Sequence, residues 1–256
     1  MTSLPQLLAH ARRDDSGFAT AIPANWLQGR TAYGGLSSAL ALAAAKQVAP
    51  DLPPLRSAQV AFIGPLSGDV RVTATILRRG RNAAFVQADI VSDAGLGFRA
   101  TFVFMAPLPS AIHLDEGGTA GHAPPAADAT LYTGPADFFT GNFNFLDLKD
   151  AAGPHEWLRW GRLIDRDGLD PEVELMAMGD ALPPAAFKLF EKMTPLSSLT
   201  WIVNILSPRA VTRDGWWLLQ AETRTAREGY SSQQMRMWSA DGVPVAEGMQ
   251  GVAIFG

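Results

Sequence analysis

The sequence predicts an α+β chain made of two copies of one unit, each an antiparallel sheet curved around a central helix. Three observations carry that expectation. The stretch Tyr33–Val48, YGGLSSALALAAAKQV, is apolar on nearly every side, and a helix apolar all round has to be buried by something wrapped about it. Four strand-like runs follow, separated by turn residues. The order of strand, helix and four strands then returns after residue 131.

Taken in order, Leu4–Arg13 reads as a short leading helix, and Ser16–Ile22 puts Phe18, Thr20 and Ile22 on one side of a first strand. Gly34 and Gly35 open the central helix, whose Ala and Leu content favours helix strongly. Pro50, Pro53 and Pro54 close it. Strands are expected at Leu55–Ile63, Asp69–Leu77, Ala83–Ser92 and Phe98–Met105, divided by Gly64-Pro65, Gly80 and Asp93-Ala94-Gly95. The second of these alternates cleanly, with Val70, Val72, Ala74 and Ile76 on one face. Pro107 to Ala129 changes to Pro, Ala, Gly and Asp without periodicity, as a surface linker would.

The second copy begins after a phenylalanine-rich join, Leu131–Asp150, with a strand at Trp157–Ile164. Asp170-Pro171-Glu172 is a helix start, with Asp as cap, Pro in the first position and an acid in the first turn. That helix runs to about Leu182 before Pro183-Pro184. Strands follow at Leu196–Leu206, Trp216–Ala226, Tyr230–Trp238 and Val243–Phe255. Pro65 and Pro208 end corresponding strands, and Ser92–Gly95 and Ser239–Gly242 make corresponding turns. A sheet wrapped around one helix in this order is the hot-dog arrangement, so the expected fold is a double hot-dog. Its units are placed at 1–108 and 131–256, with a linker at 109–130.

Composition narrows the function. Apolar residues make up 47% of the 256, enough for a large core. The net charge of −4 argues against a nucleic-acid partner. The absence of cysteine excludes disulfides, thiolate metal ligands and cysteine nucleophiles. The first residues lack the basic start and apolar run of a signal peptide. Tyr33–Val48 is too short and alanine-rich to cross a bilayer. A soluble, cytoplasmic protein without membrane insertion is expected. His10, His113, His122 and His155 are scattered without ligand spacing, so neither metal nor other cofactor is expected. No G-x-S-x-G elbow, Walker loop or dinucleotide fingerprint occurs.

The strings GRTAYGGLSSALALAAA, SSLTWIVNILSPR and ADGVPVAEGMQGVAIF resemble the double hot-dog acyl-CoA thioesterases of the thioesterase II type, over nearly the whole chain. The resemblance implies hydrolysis of acyl-CoA to free acid and CoA without a metal. It also implies a site in the second half, where an Asp, a Thr and a Gln surround a water, and it raises the expectation of a homodimer or higher homo-oligomer. The family Gln matches Gln250, which strand alternation sets with Ala246, Gly248, Val252 and Ile254 on an apolar side. It reads either as a satisfied core amide or as the holder of the water. The family Thr falls on Thr225 or, one slip away, Thr223. The position of the family Asp holds Thr200, whose hydroxyl can orient water but cannot serve as a base near neutral pH. Asp180, near the end of the second helix, is the nearest replacement carboxylate, or else an ordinary polar helix end.

The first half offers a different device. Amides at Gly34 and Gly35, behind Tyr33, sit at a helix start that favours negative charge and could stabilise an oxyanion; alternatively the glycines serve close packing. Arg78, Arg79 and Arg81 form a basic hairpin tip suited to CoA phosphates, or simply a solvated turn. Two rival functions remain: an acyl or acyl-CoA binding module that has lost its base, and a hot-dog hydratase or dehydratase. The second would want a His near the helix start, and none lies near Tyr33.

Overall fold

The chain first departs from expectation at its leading helix. Ser3 and Gln6 form a reciprocal capping box at the start of α1 (Leu4–Ala9). The helix ends at Ala9, with His10 as its C-cap, rather than at Arg13. Asp14 accepts from the Ser16 amide at 2.9 Å and turns the chain, so Arg12–Asp14 becomes an edge strand, β1, paired with β2 (Gly17–Ile22). A computed structural model describes residues 1–192 and 194–255. A two-stranded ribbon, β3 (Leu27–Gln28) and β4 (Thr31–Ala32), turns through Gly29 and leads into α2 (Gly34–Val48). Next come β5 (Leu55–Phe62), β6 (Gly68–Arg79), β7 (Ala83–Ser92) and β8 (Gly95–Met105). After the irregular stretch that follows come β9 (Phe143–Asp147), β10 (Glu156–Leu163), α3 (Pro171–Gly179), β11 (Leu196–Ile205), β12 (Trp217–Arg227), β13 (Tyr230–Ser239) and β14 (Pro244–Ile254).

Twelve strands join one antiparallel sheet in the order β1-β2-β6-β7-β8-β5-β11-β14-β13-β12-β10-β9. The order is pseudo-symmetric. Exchanging β2 with β10, β6 with β12, β7 with β13, β8 with β14 and β5 with β11 maps one side onto the other. The centre of the exchange is the β5–β11 pair, in register from Ser57–Asn204 to Ala61–Thr200. This pair continues the backbone hydrogen bonding from one half of the chain into the other.

Helix α2 packs on β2, β6, β7 and β8 and against α3. Its buried face carries Ala39, Ala41, Ala44 and Ala45, small side chains that let strands and helix come close. Helix α3 is buried from Glu172 to Gly179, including two acids, and buried acids require partners. Glu172 accepts from the Leu55 amide and from Lys46 Nζ, each at 2.8 Å, and Lys46 also pairs with Asp170. Glu174 accepts from Trp217 Nε1 at 3.0 Å; burial pushes its carboxyl up.

A second, smaller apolar cluster lies apart from the main core. Leu158, Trp160, Trp216, Leu218, Trp238 and Ala240 form it. Ala120 and Leu131 pack on it from the irregular stretch, and the Ala120 amide donates to the Gly242 carbonyl at 3.1 Å. The expected linker region is therefore irregular but partly fastened down.

Candidate active site

Pro183 and Pro184 stop the second helical segment, and Asp180 becomes the residue that closes α3. Its carboxylate points toward two elements from opposite ends of the chain: the start of α2 and the inner face of β14. From β14, Gln250 Nε2 donates to Asp180 Oδ1 at 2.7 Å. From β13, Gln233 Nε2 donates to Gln250 Oε1 at 2.7 Å. The Ala185 backbone amide donates to Gln233 Oε1 at 2.8 Å. Both glutamines are buried.

Sheet register explains why these side chains meet. Thr223 on β12 faces Gln233 on β13, which faces Gln250 on β14, which faces Trp201 on β11. All four are buried, so they form one cross-strand row on the helix-facing side. The Thr223 hydroxyl, within that row, has no hydrogen-bond partner among the described residues.

The glycines at the start of α2 are sterically required. A Cβ on Gly34 would run into Asp180 Oδ2 and would lie 2.7 Å from the Phe62 ring. A Cβ on Gly35 would meet the Tyr33 hydroxyl and would lie 2.5 Å from the Ala177 carbonyl oxygen. Tyr33 itself donates to that Ala177 carbonyl at 2.7 Å and stacks on Phe139 with ring centroids 4.3 Å apart. Burial, with Asp180 nearby, pushes its phenol well above the ordinary range. Tyr33 is thus a tie between α2 and α3.

Burial is also what governs Asp180. Its carboxyl is pushed up from 3.8 to about 7 by desolvation, although Gln250 and the Gly35 backbone amide both favour the charged form. The carboxyl lines a cavity of about 700 Å³ where the two halves meet. Phe62, Phe98, Phe139, Leu182 and Phe187 supply much of its apolar wall, and Gly34 lies at its edge. Asp180 and Arg30, on the β3–β4 turn, are the charged side chains in the described lining.

Of the residues singled out in the sequence, Asp180, Gln250, Thr223, Tyr33, Gly34 and Gly35 come together here. Three groups do not. Thr200 lies outside the lining and is exposed on the far face of β11, because a bulge between Ser198 and Thr200 resets the alternation so that Trp201 points inward. Thr225 is exposed as well, since a second bulge between Thr223 and Thr225 leaves Thr223 as the inward residue. Arg78, Arg79 and Arg81 are exposed at the β6–β7 tip, where Arg79 pairs with Asp51 at 2.8 Å. Asp51 follows the C-terminal end of α2, and fifteen helical residues put that end about 22 Å from the cavity. Thr200→Val and Thr225→Val are accordingly expected to change kcat/KM for a thioester substrate less than about twofold, as surface changes do. A loss beyond tenfold would return either residue to the site.

Gln233 was not anticipated from the sequence. The signal was present, because Gln233 shares the inward side of its strand with Ser231, Met235 and Met237. It is a lone amide beside two methionines, on a buried side of its strand as Gln250 is on its own.

Comparison with known proteins agrees with this architecture. A family model described as the acyl-CoA thioesterase N-terminal domain matches residues 22–105, and one described as the acyl-CoA thioesterase C-terminal domain matches residues 110–254. Among curated proteins, none matches the sequence. Among solved structures, a hot dog-fold protein of unknown function from Alicyclobacillus acidocaldarius superposes with a TM-score of 0.84 at 21% identity, covering 100% of this chain and 99% of that one. The acyl-CoA thioesterase II TesB2 of Mycobacterium marinum gives 0.78 at 15% identity, with 98% of each chain covered. The tesB protein of Mycobacterium avium subs paratuberculosis gives 0.78 at 19%, covering 98% of this chain and 99% of that one. These likenesses establish the hot-dog fold. With both of its domain models matched in order, the chain belongs to the acyl-CoA thioesterase family.

Proposed function

We propose that the protein hydrolyses acyl-CoA thioesters, with Asp180 as general base. The observation that carries this reading is a half-buried carboxylate on a cavity wall, raised to about 7 and held at 2.7 Å by Gln250. A base is most effective when its pKa lies near the working pH. Asp180 takes a proton from water while the water oxygen bonds to the thioester carbonyl carbon. The C–S bond then breaks, and the proton returns to the departing thiolate, giving free acid and thiol. Gln250 holds the carboxylate in place. The Gly34 edge of the α2 start faces the carbonyl oxygen, where helix amides and dipole stabilise developing negative charge. The aromatic wall takes the acyl chain, and Arg30 at the mouth takes negative charge on the CoA portion. In this reading α2 and α3 are the central helices of two hot-dog units, 1–108 and 131–256, joined by the 109–130 linker.

The test is release of free thiol from a panel of short to long acyl-CoA thioesters, with Gln250→Ala beside the wild type. Wild-type turnover is expected, and loss of the Asp180 hydrogen bond should lower kcat by roughly 10²-fold. Absence of turnover across the panel, with acyl-CoA still raising the melting temperature, would overturn catalysis and leave an acyl-CoA binding protein.

A further inference from the structure

We propose that Gln233 is a positioning residue whose side-chain amide fixes the orientation of Gln250, so that Gln250 presents its N–H and never its carbonyl oxygen to Asp180. The inference rests on the hydrolase reading only for its catalytic consequence; its geometry stands independently.

The argument is one of hydrogen-bond polarity. An amide side chain can be turned by half a revolution with little change of shape, so which end is oxygen must be settled by its neighbours. At one end of the series stands the Ala185 backbone N–H, which can only donate, 2.8 Å from Gln233. That neighbour assigns the oxygen of Gln233 to the Ala185 side. The Gln233 Nε2 must then face Gln250, 2.7 Å away, which makes the facing atom of Gln250 its oxygen. The Gln250 Nε2 is left for Asp180 at 2.7 Å. At the far end an ionised carboxylate can only accept. A donor-only group and an acceptor-only group thus bracket two amides, and one orientation of both satisfies every bond. Met235 Sδ, 3.7 Å from Gln233 Nε2, takes its second N–H weakly. Because the glutamines are almost wholly buried, no solvent competes to turn either of them.

Without Gln233 the bracket is open on one side. Gln250 could then turn when Asp180 is protonated and accept the acid O–H, which favours the neutral form. Of the other groups facing Asp180, the Gly35 amide favours the charged form, but it does so equally with and without Gln233. The Tyr33 phenol on the α2 side is occupied with the Ala177 carbonyl, Phe62 on β5 is apolar, and the Gly35 amide is fixed backbone. Gln233 therefore favours the charged form of Asp180 that a base needs, from one residue farther away.

Two variants and one wild-type measurement test this. Gln233→Met removes the amide without adding charge, with Gln233→Leu as its substitute if the thioether variant does not fold. Gln233→Glu keeps an acceptor for Ala185 but demands a donor from Gln250. The readout is the titration of the Asp180 side-chain carboxyl carbon by NMR, assigned with Asp180→Asn, together with the acid limb of the pH–rate profile. The inference expects the midpoint to move up in both the neutral and the acidic variant, by half a pH unit or more. A shift in the acidic variant alone would be simple charge repulsion and would overturn it, as would no shift in either. In the wild type, the Gln250 side-chain N–H signals should move downfield as Asp180 ionises; unmoved signals would also overturn it. NMR requires no turnover. A wild type that fails to hydrolyse while the titration shifts would sink the hydrolase reading and leave this one standing.

Discussion

Asp180→Asn is expected to abolish hydrolysis and, at pH 8, to make the protein melt at a higher temperature. The catalytic part follows from the loss of the proposed base, worth roughly 10²–10⁴-fold in kcat. The stability part follows from linkage. The folded protein holds the Asp180 proton more firmly than the unfolded chain does, since burial raises the carboxyl from 3.8 to about 7. The stabilisation from this group is therefore fully present below pH 3.8, declines between 3.8 and 7, and is gone above 7. At pH 8 the folded state carries a half-buried charge that costs at most about 4 kcal/mol relative to the unfolded chain. Asparagine removes that cost but turns an N–H toward the Gly35 amide, so a net gain of about 1–3 kcal/mol is expected, or roughly 2–12 °C in Tm. Differential scanning at pH 8 and pH 5 decides it. The gain should shrink at pH 5, where the wild type is already largely protonated. Equal Tm values for wild type and variant at both pH values would mean that the Asp180 carboxyl is not held above its ordinary range.

The second large effect is on folding. Gly35→Ala should destabilise the protein by about 3 kcal/mol and lower Tm by roughly 6–12 °C, despite the better helix propensity of alanine. The added methyl meets the Tyr33 hydroxyl and lies 2.5 Å from the Ala177 carbonyl oxygen. The first can turn aside; the second is backbone and moves only if α3 moves. Because Asp180 ends α3, activity should fall with stability. Gly121→Ala, where nothing lies within 4 Å, is the matched control and should melt with the wild type. Chemical denaturation with unchanged m-values would measure the difference, and a Gly35→Ala midpoint equal to the wild type would refute the close packing.

Much of this fold could be read from punctuation. Pro65 and Pro208, the Asp170-Pro171-Glu172 start and the two Asp-containing turns lie where corresponding elements begin or end. Composition was a poorer guide at α1, because the Asp14 turn and the pairing of Arg12–Asp14 with β2, rather than helix propensity, take the chain out of the helix. The site was legible where strict alternation held, as at Gln250 and Thr223. It was not legible where bulges intervened. One extra residue in β11 and another in β12 turned Thr200 and Thr225 outward, and a bulge leaves no reliable mark in a single sequence. Asp180 illustrates a different limit: nothing local distinguishes it from an ordinary helix end, and its surroundings come from Gly34 and Gln250, far away in the chain.

The pseudo-symmetric sheet creates two places where the end of one helix meets the start of the other. At the start of α3, Asp170 caps the helix and, with Glu172, binds Lys46 from the end of α2. At the start of α2, glycines leave room for a carboxyl whose ionisation is unfavourable. Tethering both halves in one chain keeps them in permanent fixed proportion, as if two different subunits were held at high effective concentration. Identical subunits would have to make both junctions alike. Two unlike halves can let one junction act as a clasp while the other tolerates an uncomfortable charge, so holding together and carrying a titratable carboxyl fall to different junctions.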